Sequence, residues 1–411
     1  MPASRRGSAA GLLLLLLFAV APVQAAPVPS APAQVAPVQA PPRIGVLTME
    51  PGEQFWERFG HDAIVVVDSS NKQATSYNFG YFDMGEPGFV GNFIRGVMRY
   101  YLVALPLEED LSGYRDEGRG VSVQWLDLDP AQARALASAL ALNARPENAR
   151  YRYEYYTDNC STRVRDALDG ALGGRLQQAL SGRSQGNTYR SESVRLAWPA
   201  KWMALGFHLG LSGYADRPLS RWEEAFIPMR LRDSLREVKR ADGQPLVASE
   251  VVLIPHRHAL PPAEMPRWRI PALFAGLAIA FAANWLGRRR PRMLAALALP
   301  FWLVSGLAGL LMLFLWFGTV HIAGHGNENI LLLSPLCLLL LAGGWRLARG
   351  QATSPTDRFR AFRLLLWAVA GSAAIAGFLK FLPFRPQENV EWVLLLLPLH
   401  LVLARTFSPR R

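Results

Sequence analysis

After residue 270 the chain becomes a series of long apolar runs, and nothing else in the sequence limits its possible folds as severely. The runs cover residues 270–286, 294–320, 330–345, 364–382 and 390–404, with short polar connections between them. Each is near the length of a helix that crosses the ~30 Å hydrocarbon core of a bilayer. Backbone polar groups find no partners in hydrocarbon, so such segments must pair their amides internally as helices. Residues 270–411 therefore read as an all-α transmembrane bundle of about five helices. The connections alternate in charge. Residues 287–292 hold four arginines, 321–329 hold no Lys or Arg, 346–363 hold five arginines, 384–389 hold one and the tail after Ala404 holds three. This places the N-terminal half outside and the C-terminus in the cytoplasm. Much of the net charge of +12 is thus topological, and no nucleic-acid partner is expected.

The N-terminus carries an export signal. Arg5 and Arg6 precede an apolar run over residues 11–20, and Val23-Gln24-Ala25 has the small-residue pattern of a cleavage site, so residues 1–25 read as a signal peptide. The run is short for a spanning anchor, and no cysteine follows it to carry a lipid. Residues 26–42 are almost only Ala, Pro, Val, Gln and Ser and read as an extended tether. Residues 43–254 are long enough for one domain with a sizeable core, joined to the bundle by a Pro-rich linker at 255–269. Strands are expected at 43–49, 63–67, 76–81 and 121–126, where β-branched and aromatic residues concentrate. A helix begins at Pro130 with Asp129 as its cap, and a second covers 161–180. The Trp- and Leu-rich segment 192–211 reads as a packing helix, with more helix over 222–240. Strands first and helices later point to an α+β domain.

The chain has two cysteines, Cys160 in the polar half and Cys337 inside the third apolar run. A solitary thiol on the exported side has no partner for an internal disulfide, which leaves nucleophile, ligand, intermolecular bridge or inert packing. Asp158 or Asn159 can cap the following helix, so Cys160 falls in its first turn, where the helix terminus favours the thiolate. Its neighbours are Asp, Asn, Ser, Thr and Arg rather than apolar residues. Nucleophile is the preferred reading. A thiol nucleophile needs a base. His61 opens a strand after a glycine and suits that role better than His208 in the Trp-rich segment or His256 and His258 in the linker. Asn78, on the next strand, is the expected partner that orients the imidazole.

Further polar residues are candidates for substrate contacts. These are Asn159 beside the thiol, Tyr189 and Arg190 in NTYR, Arg119 in EGRG, and His325, Asn327 and Asn329 in the turn between the second and third spans. Either arginine has the planar fork that grips a phosphate or carboxylate. The turn either lines a pocket or is a plain extracytoplasmic connection. Its two histidines and one glutamate do not complete a metal-ligand set, so no metal and no cofactor are expected.

The segments FGHDAI, YNFGYFD, YYTDNCSTRVRD, NTYR and GHGNENILLLSP, in this order and followed by a bundle of spans, resemble the Lnb N-terminal periplasmic domain family. The resemblance covers about residues 43–226, and the membrane half more loosely. It implies a multi-pass protein of the bacterial inner membrane, with the domain in the periplasm and lipoprotein N-acyltransferase activity. A histidine on an early strand, followed later by Asn-Cys at a helix start, is also similar to the permuted papain-like enzymes. That likeness implies Cys160 as nucleophile and His61 as base; Asn78 has no firm counterpart and rests on strand adjacency. The expected fold is therefore a permuted papain-like α+β domain followed by the transmembrane bundle. The expected reaction moves an acyl chain from phospholipid through a thioester on Cys160 to the N-terminal amine of a lipoprotein or another envelope acceptor. Two other classes remain open: a periplasmic cysteine hydrolase or amidase acting on cell wall or lipid, and a non-enzymatic envelope assembly or binding protein with a structural Cys160.

Overall fold

The computed structural model describes residues 40–351, 357–385 and 387–408. The expected signal peptide and all but the last three residues of the expected tether lie outside the described residues. In the N-terminal half the elements run β1 (Arg43–Met49), β2 (His61–Val67), β3 (Ala74–Tyr81), α1 (Phe89–Arg95), β4 (Arg99–Pro106), α2 (Leu107–Glu117), β5 (Val121–Leu126), α3 (Pro130–Asn143), α4 (Pro146–Ala149) and β6 (Arg150–Arg152). They continue with α5 (Cys160–Ala171), α6 (Arg175–Ser181), α7 (Tyr189–Ala197), α8 (Lys201–Gly210), α9 (Arg221–Glu224), α10 (Pro228–Leu235) and β7 (Val247–Ile254).

The strands form one antiparallel sheet in the order β6-β4-β3-β2-β1-β5-β7. Its central strands β1 and β2 are buried on both faces, while the edge strand β7 is largely exposed. Ile44, Val46 and Ile64 pack against Leu136 and Leu140 of α3 and Val164 and Leu168 of α5. The alternate residues Leu47, Met49, Ala63 and Val65 pack beneath Leu111 of α2. Alternation along a pleated strand sends successive side chains to opposite faces, so a strand covered on both sides reads as a nearly continuous apolar run such as AIVVV.

All four expected strands are present, and β4, β6 and β7 join them. Asp129 caps α3 with Pro130 at the first helical position, as its sequence requires. The single helix expected over 161–180 is two, because Gly173 and Gly174 both take the left-handed conformation, with φ of 64° and 84°, and end the first. The segment 192–211 is likewise two helices, α7 and α8.

The membrane half contains α11 (Arg269–Arg289), α12 (Pro291–Gly318), α13 (Cys337–Ala348), α14 (Asp357–Leu379) and α15 (Val390–Thr406). Three of these helices, α11, α12 and most of α14, are long and apolar enough to cross a membrane. The expected span 330–345 is only partly helical. It opens with a 3-10 turn at Glu328–Leu331 and continues through Ser334 and Pro335 before α13, which at 12 residues reaches ~18 Å. Pro335 supplies no amide and disfavours helix just before it. The helix α15 has 17 residues with Pro398 inside it, ~25 Å.

The turn after α12 locks the two halves together. The α8 helix ends with carbonyls that lack helical partners, and Asn327 donates to the carbonyls of Leu209 and Gly210 at 2.8 and 2.9 Å while Asn329 donates to Leu209 at 2.9 Å. The Ser212 amide donates to the Ala323 carbonyl at 2.6 Å. Gln387 and Asn389, leading into α15, donate to the side-chain oxygens of Asn327 and Asn329 at 2.7 and 2.8 Å.

Candidate active site

Cys160 is the first residue of α5, and Asn159 caps that helix by accepting from the Thr162 amide at 2.9 Å. The helix packs on β2 and β3 at the end of the sheet where β2 begins with His61. The backbone amide of Asp62, the residue after His61, lies near enough to the Cys160 sulfur to favour its thiolate. Gly80, near the end of β3, adjoins the same residue: a Cβ added there would lie 3.5 Å from the Cys160 Cβ. Its φ of 94° and the register shift between Asn78 and Tyr81 mark a bulge, a usual device for re-aiming side chains beside a site.

His61 is held by its strand neighbour. Its Nε2 lies 3.1 Å from the Asn78 Oδ1. The orientation of the Asn78 amide follows from its other partners: its NH2 donates to the Asp110 carboxylate at 3.0 Å and to the Ser76 hydroxyl at 2.7 Å, and Ser76 in turn donates to Asp110. The Asn78 oxygen therefore faces the imidazole, Nε2 carries the hydrogen, and Nδ1 is left with a free lone pair. Asp110 comes from α2, so three elements fix the ring.

The helix terminus does not set the protonation state of Cys160. Burial pushes the thiol up from 9.0 to about 12, the Asp62 carboxyl adds to the rise, and backbone amides offset only part of it. A rise of that size weighs about 4 kcal/mol against the thiolate, and a helix terminus returns at most ~2 kcal/mol. The expected lowering is overturned because desolvation is the larger effect in a residue 9% exposed. Burial also lowers the His61 pKa, aided by the Arg119 charge and opposed by Asp110 and the Asn78 bond. The resting groups are therefore a neutral thiol and a neutral imidazole.

Asp62 lies beneath this pair and is fully buried. Thr48 donates to its Oδ1 at 2.9 Å. The Ser161 hydroxyl is 2.7 Å from both the Asp62 Oδ2 and the Ala225 carbonyl. Ser161 has a single hydrogen to offer these two acceptors, so a protonated Asp62 carboxyl can supply the second one. Burial accordingly pushes Asp62 up from 3.8 to about 7.

The structure thus gathers Cys160, His61 and Asn78 at one end of the sheet and uses the other candidates differently. Arg190 is fully buried; it pairs with Asp216 at 2.6 Å and donates to the carbonyls of His208, Leu211 and Ser212, a support for the joint rather than a ligand clamp. Tyr189 is buried among Tyr156, Tyr214 and Phe226. Arg119 is buried against Tyr114, donating to the Glu50 carbonyl at 3.0 Å and pairing with Glu117 at 3.2 Å. Besides capping α5, Asn159 donates to the carbonyls of Tyr155 and Phe226. His325 is 3.1 Å from the Thr319 carbonyl, and Asn327 and Asn329 are spent on the joint with α8. His208 also belongs there: its Nδ1 accepts from Trp392 at 3.0 Å, and burial lowers its pKa to about 4.

Asp62, Asp110 and Ser76 were missed by sequence reasoning. Asp62 carried a usable signal, as the one charge in an otherwise apolar strand, HDAIVVV. Asp110 carried none, lying in the acidic run EED of α2 and reaching Asn78 only through tertiary packing.

No curated protein and no solved structure matches the chain. Two family models do: the Lnb N-terminal periplasmic domain over residues 40–196, and the Lnb transmembrane domain over residues 270–355. Together they span more than half of the 411 residues, in the order in which the sheet domain and the apolar helices occur. The chain belongs to the Lnb family, as a membrane protein that joins a periplasmic domain to a transmembrane domain.

Proposed function

We propose that the protein is a thiol acyltransferase that moves an acyl chain from phospholipid to the N-terminal amine of a lipoprotein. The observation that carries this reading is the fixed tautomer of His61: Asn78 and Asp110 leave Nδ1 as the free basic nitrogen at the strand end against which Cys160 packs. His61 Nδ1 takes the thiol proton as sulfur attacks the ester carbonyl carbon. The bond to the glycerol oxygen breaks, and that oxygen leaves with the proton from His61 as a lysophospholipid alcohol. The amine then attacks the thioester, gives a proton to His61, and the sulfur departs and recovers it. The likeness to permuted papain-like enzymes belongs to this proposal, as do the inner-membrane location and the cytoplasmic C-terminus.

Transfer rather than hydrolysis is favoured by the surroundings of the sulfur. Cys160 is nearly buried, with Tyr151 and Tyr153 beside it, and a thioester survives long enough to meet an amine only where water is scarce. The test is direct. Full-length protein in phospholipid nanodiscs should gain the mass of one acyl group on the Cys160 peptide and lose it to hydroxylamine and to a diacylated lipopeptide. Absence of acyl mass, or full activity of Cys160→Ala in a strain lacking other such transferases, sinks the nucleophile. Release of free fatty acid with no acylated peptide makes the enzyme a hydrolase.

A further inference from the structure

Between β3 and β4 the chain exposes a group of large apolar side chains beside the site. Met84 is 61% exposed, Val90 66% and Ile94 47%, and across from them Phe55 is 42% and Trp56 51% exposed. Val90 and Ile94 sit four apart on α1, on one face of a helix of seven residues. Exposed apolar clusters of this kind mark a surface meant to be covered.

What covers it follows from where α1 is tied. The Arg95 carbonyl, in the last residue of α1, accepts from the Val320 amide at 2.9 Å, and the Phe93 carbonyl lies 3.1 Å from the His321 Nε2. Val320 is two residues beyond the end of α12, the longest apolar helix, whose final turn carries the exposed aromatics Trp316 and Phe317. Aromatic residues at the end of a spanning helix sit at headgroup level. The α1 helix is therefore bonded to the bilayer boundary, and at ~10 Å long it cannot reach far from it.

A continuous aromatic row leads inward from this group. Trp56 meets Phe82 at 6.4 Å between ring centroids, Phe89 meets Phe82 at 5.7 Å, Phe82 stacks on Tyr100 at 5.0 Å, and Tyr100 meets Tyr153 at 4.3 Å. Tyr153 and Cys160 flank the same point, lying 3.7 and 3.5 Å from where a Gly80 Cβ would stand. The row thus runs from the apolar group to the thiol.

We propose that α1, with Phe55, Trp56 and Met84, forms a lip lying in the outer leaflet, and that the aromatic row guides one acyl chain of a phospholipid from that leaflet to Cys160. The assignment of the chain as acyl donor rests on the transferase reading; the placement of the lip does not.

Two measurements test it on the full-length protein in nanodiscs of phosphatidylethanolamine and phosphatidylglycerol. For depth, Val90→Cys is spin-labelled in a background where Cys160 and Cys337 are Ala, with labels at Phe317 on α12 and at Asn71 in the exposed β2–β3 turn as lipid and water references. The label at Val90 should match Phe317, open to oxygen and shielded from a water-soluble nickel chelate; a match to Asn71 overturns the lip. For delivery, Val90→Glu with Ile94→Glu should lower the rate of acyl loading on Cys160 by about tenfold at an unchanged unfolding midpoint, since charge at the lip opposes insertion. Unchanged loading overturns the guide. If the wild-type protein takes up no acyl group, the transferase reading fails, while the depth at Val90 still decides the lip.

Discussion

Replacing Asp62 by Asn should make the protein more stable at alkaline pH and leave it little changed in acid. In the fold this carboxyl is fully buried, accepts from Thr48 and lies 2.7 Å from the Ser161 hydroxyl. Asn reproduces both bonds, its oxygen accepting from Thr48 and its NH2 donating to Ser161, and it cannot ionise. Burial raises the carboxyl from 3.8 to about 7, so the fold prefers the neutral form. The sign follows: the contribution is fully present below the unfolded value and is lost as pH rises through the folded one. Three pH units correspond to about 4 kcal/mol in total, of which roughly 2.5 kcal/mol falls between pH 5 and pH 8. The assay is urea unfolding of the full-length wild-type and Asp62→Asn proteins in one detergent across that range, followed by tryptophan fluorescence. The gap between the two curves should widen by that amount towards pH 8. Parallel profiles would mean that burial does not hold Asp62 in its neutral form. The same substitution removes a negative charge beside the sulfur, so alkylation of Cys160 should quicken at pH 8 and change little at pH 5.

Asp110→Ala frees the Asn78 amide and removes a charge that raises the His61 pKa, so acyl loading should fall by roughly ten- to a hundredfold and the acid limb of its pH profile should move to lower pH. An unmoved limb would separate Asp110 from the histidine. Gly80→Ala places a side chain at φ 94° against the thiol and should cost about 1–2 kcal/mol in unfolding free energy, with loading reduced further than the stability loss alone explains. Arg190→Met leaves Asp216 buried without its partner and should cost about 3–5 kcal/mol, while Arg190→Met with Asp216→Leu recovers most of it. Because Asp216 also accepts from the Glu388 amide at 3.0 Å, limited proteolysis should show the double variant loosened where the periplasmic domain meets α15.

The local features that singled out Cys160, His61 and Asn78 are all present in the fold. Cys160 follows a capping Asn, His61 opens a strand after a glycine, and Asn78 lies on the strand paired with it, where Ala63 faces Asn78 directly. The substrate contacts inferred from NTYR, EGRG and the GHGNEN turn had no such support. Polar residues that brace a fold and polar residues that grip a ligand look alike in sequence, and only the partners of Arg190, Arg119, Asn327 and Asn329 tell them apart.

By itself the sequence determined what depends on neighbours along the chain. The division into exported and membrane halves follows from apolar run length, the central strands from alternation and β-branching, and the start of α5 from its cap. Tertiary structure alone decided whatever depends on desolvation and on residues far apart in the chain. The split at Gly173 and Gly174 and the shortened third apolar run come from local residues, whereas tertiary structure brought Asp110 to Asn78. It reversed the expected protonation of Cys160, because the cost of burying a charge outweighs the pull of a helix terminus. A hydrogen-bond cap acts within one turn of chain; desolvation is set by everything packed around the atom.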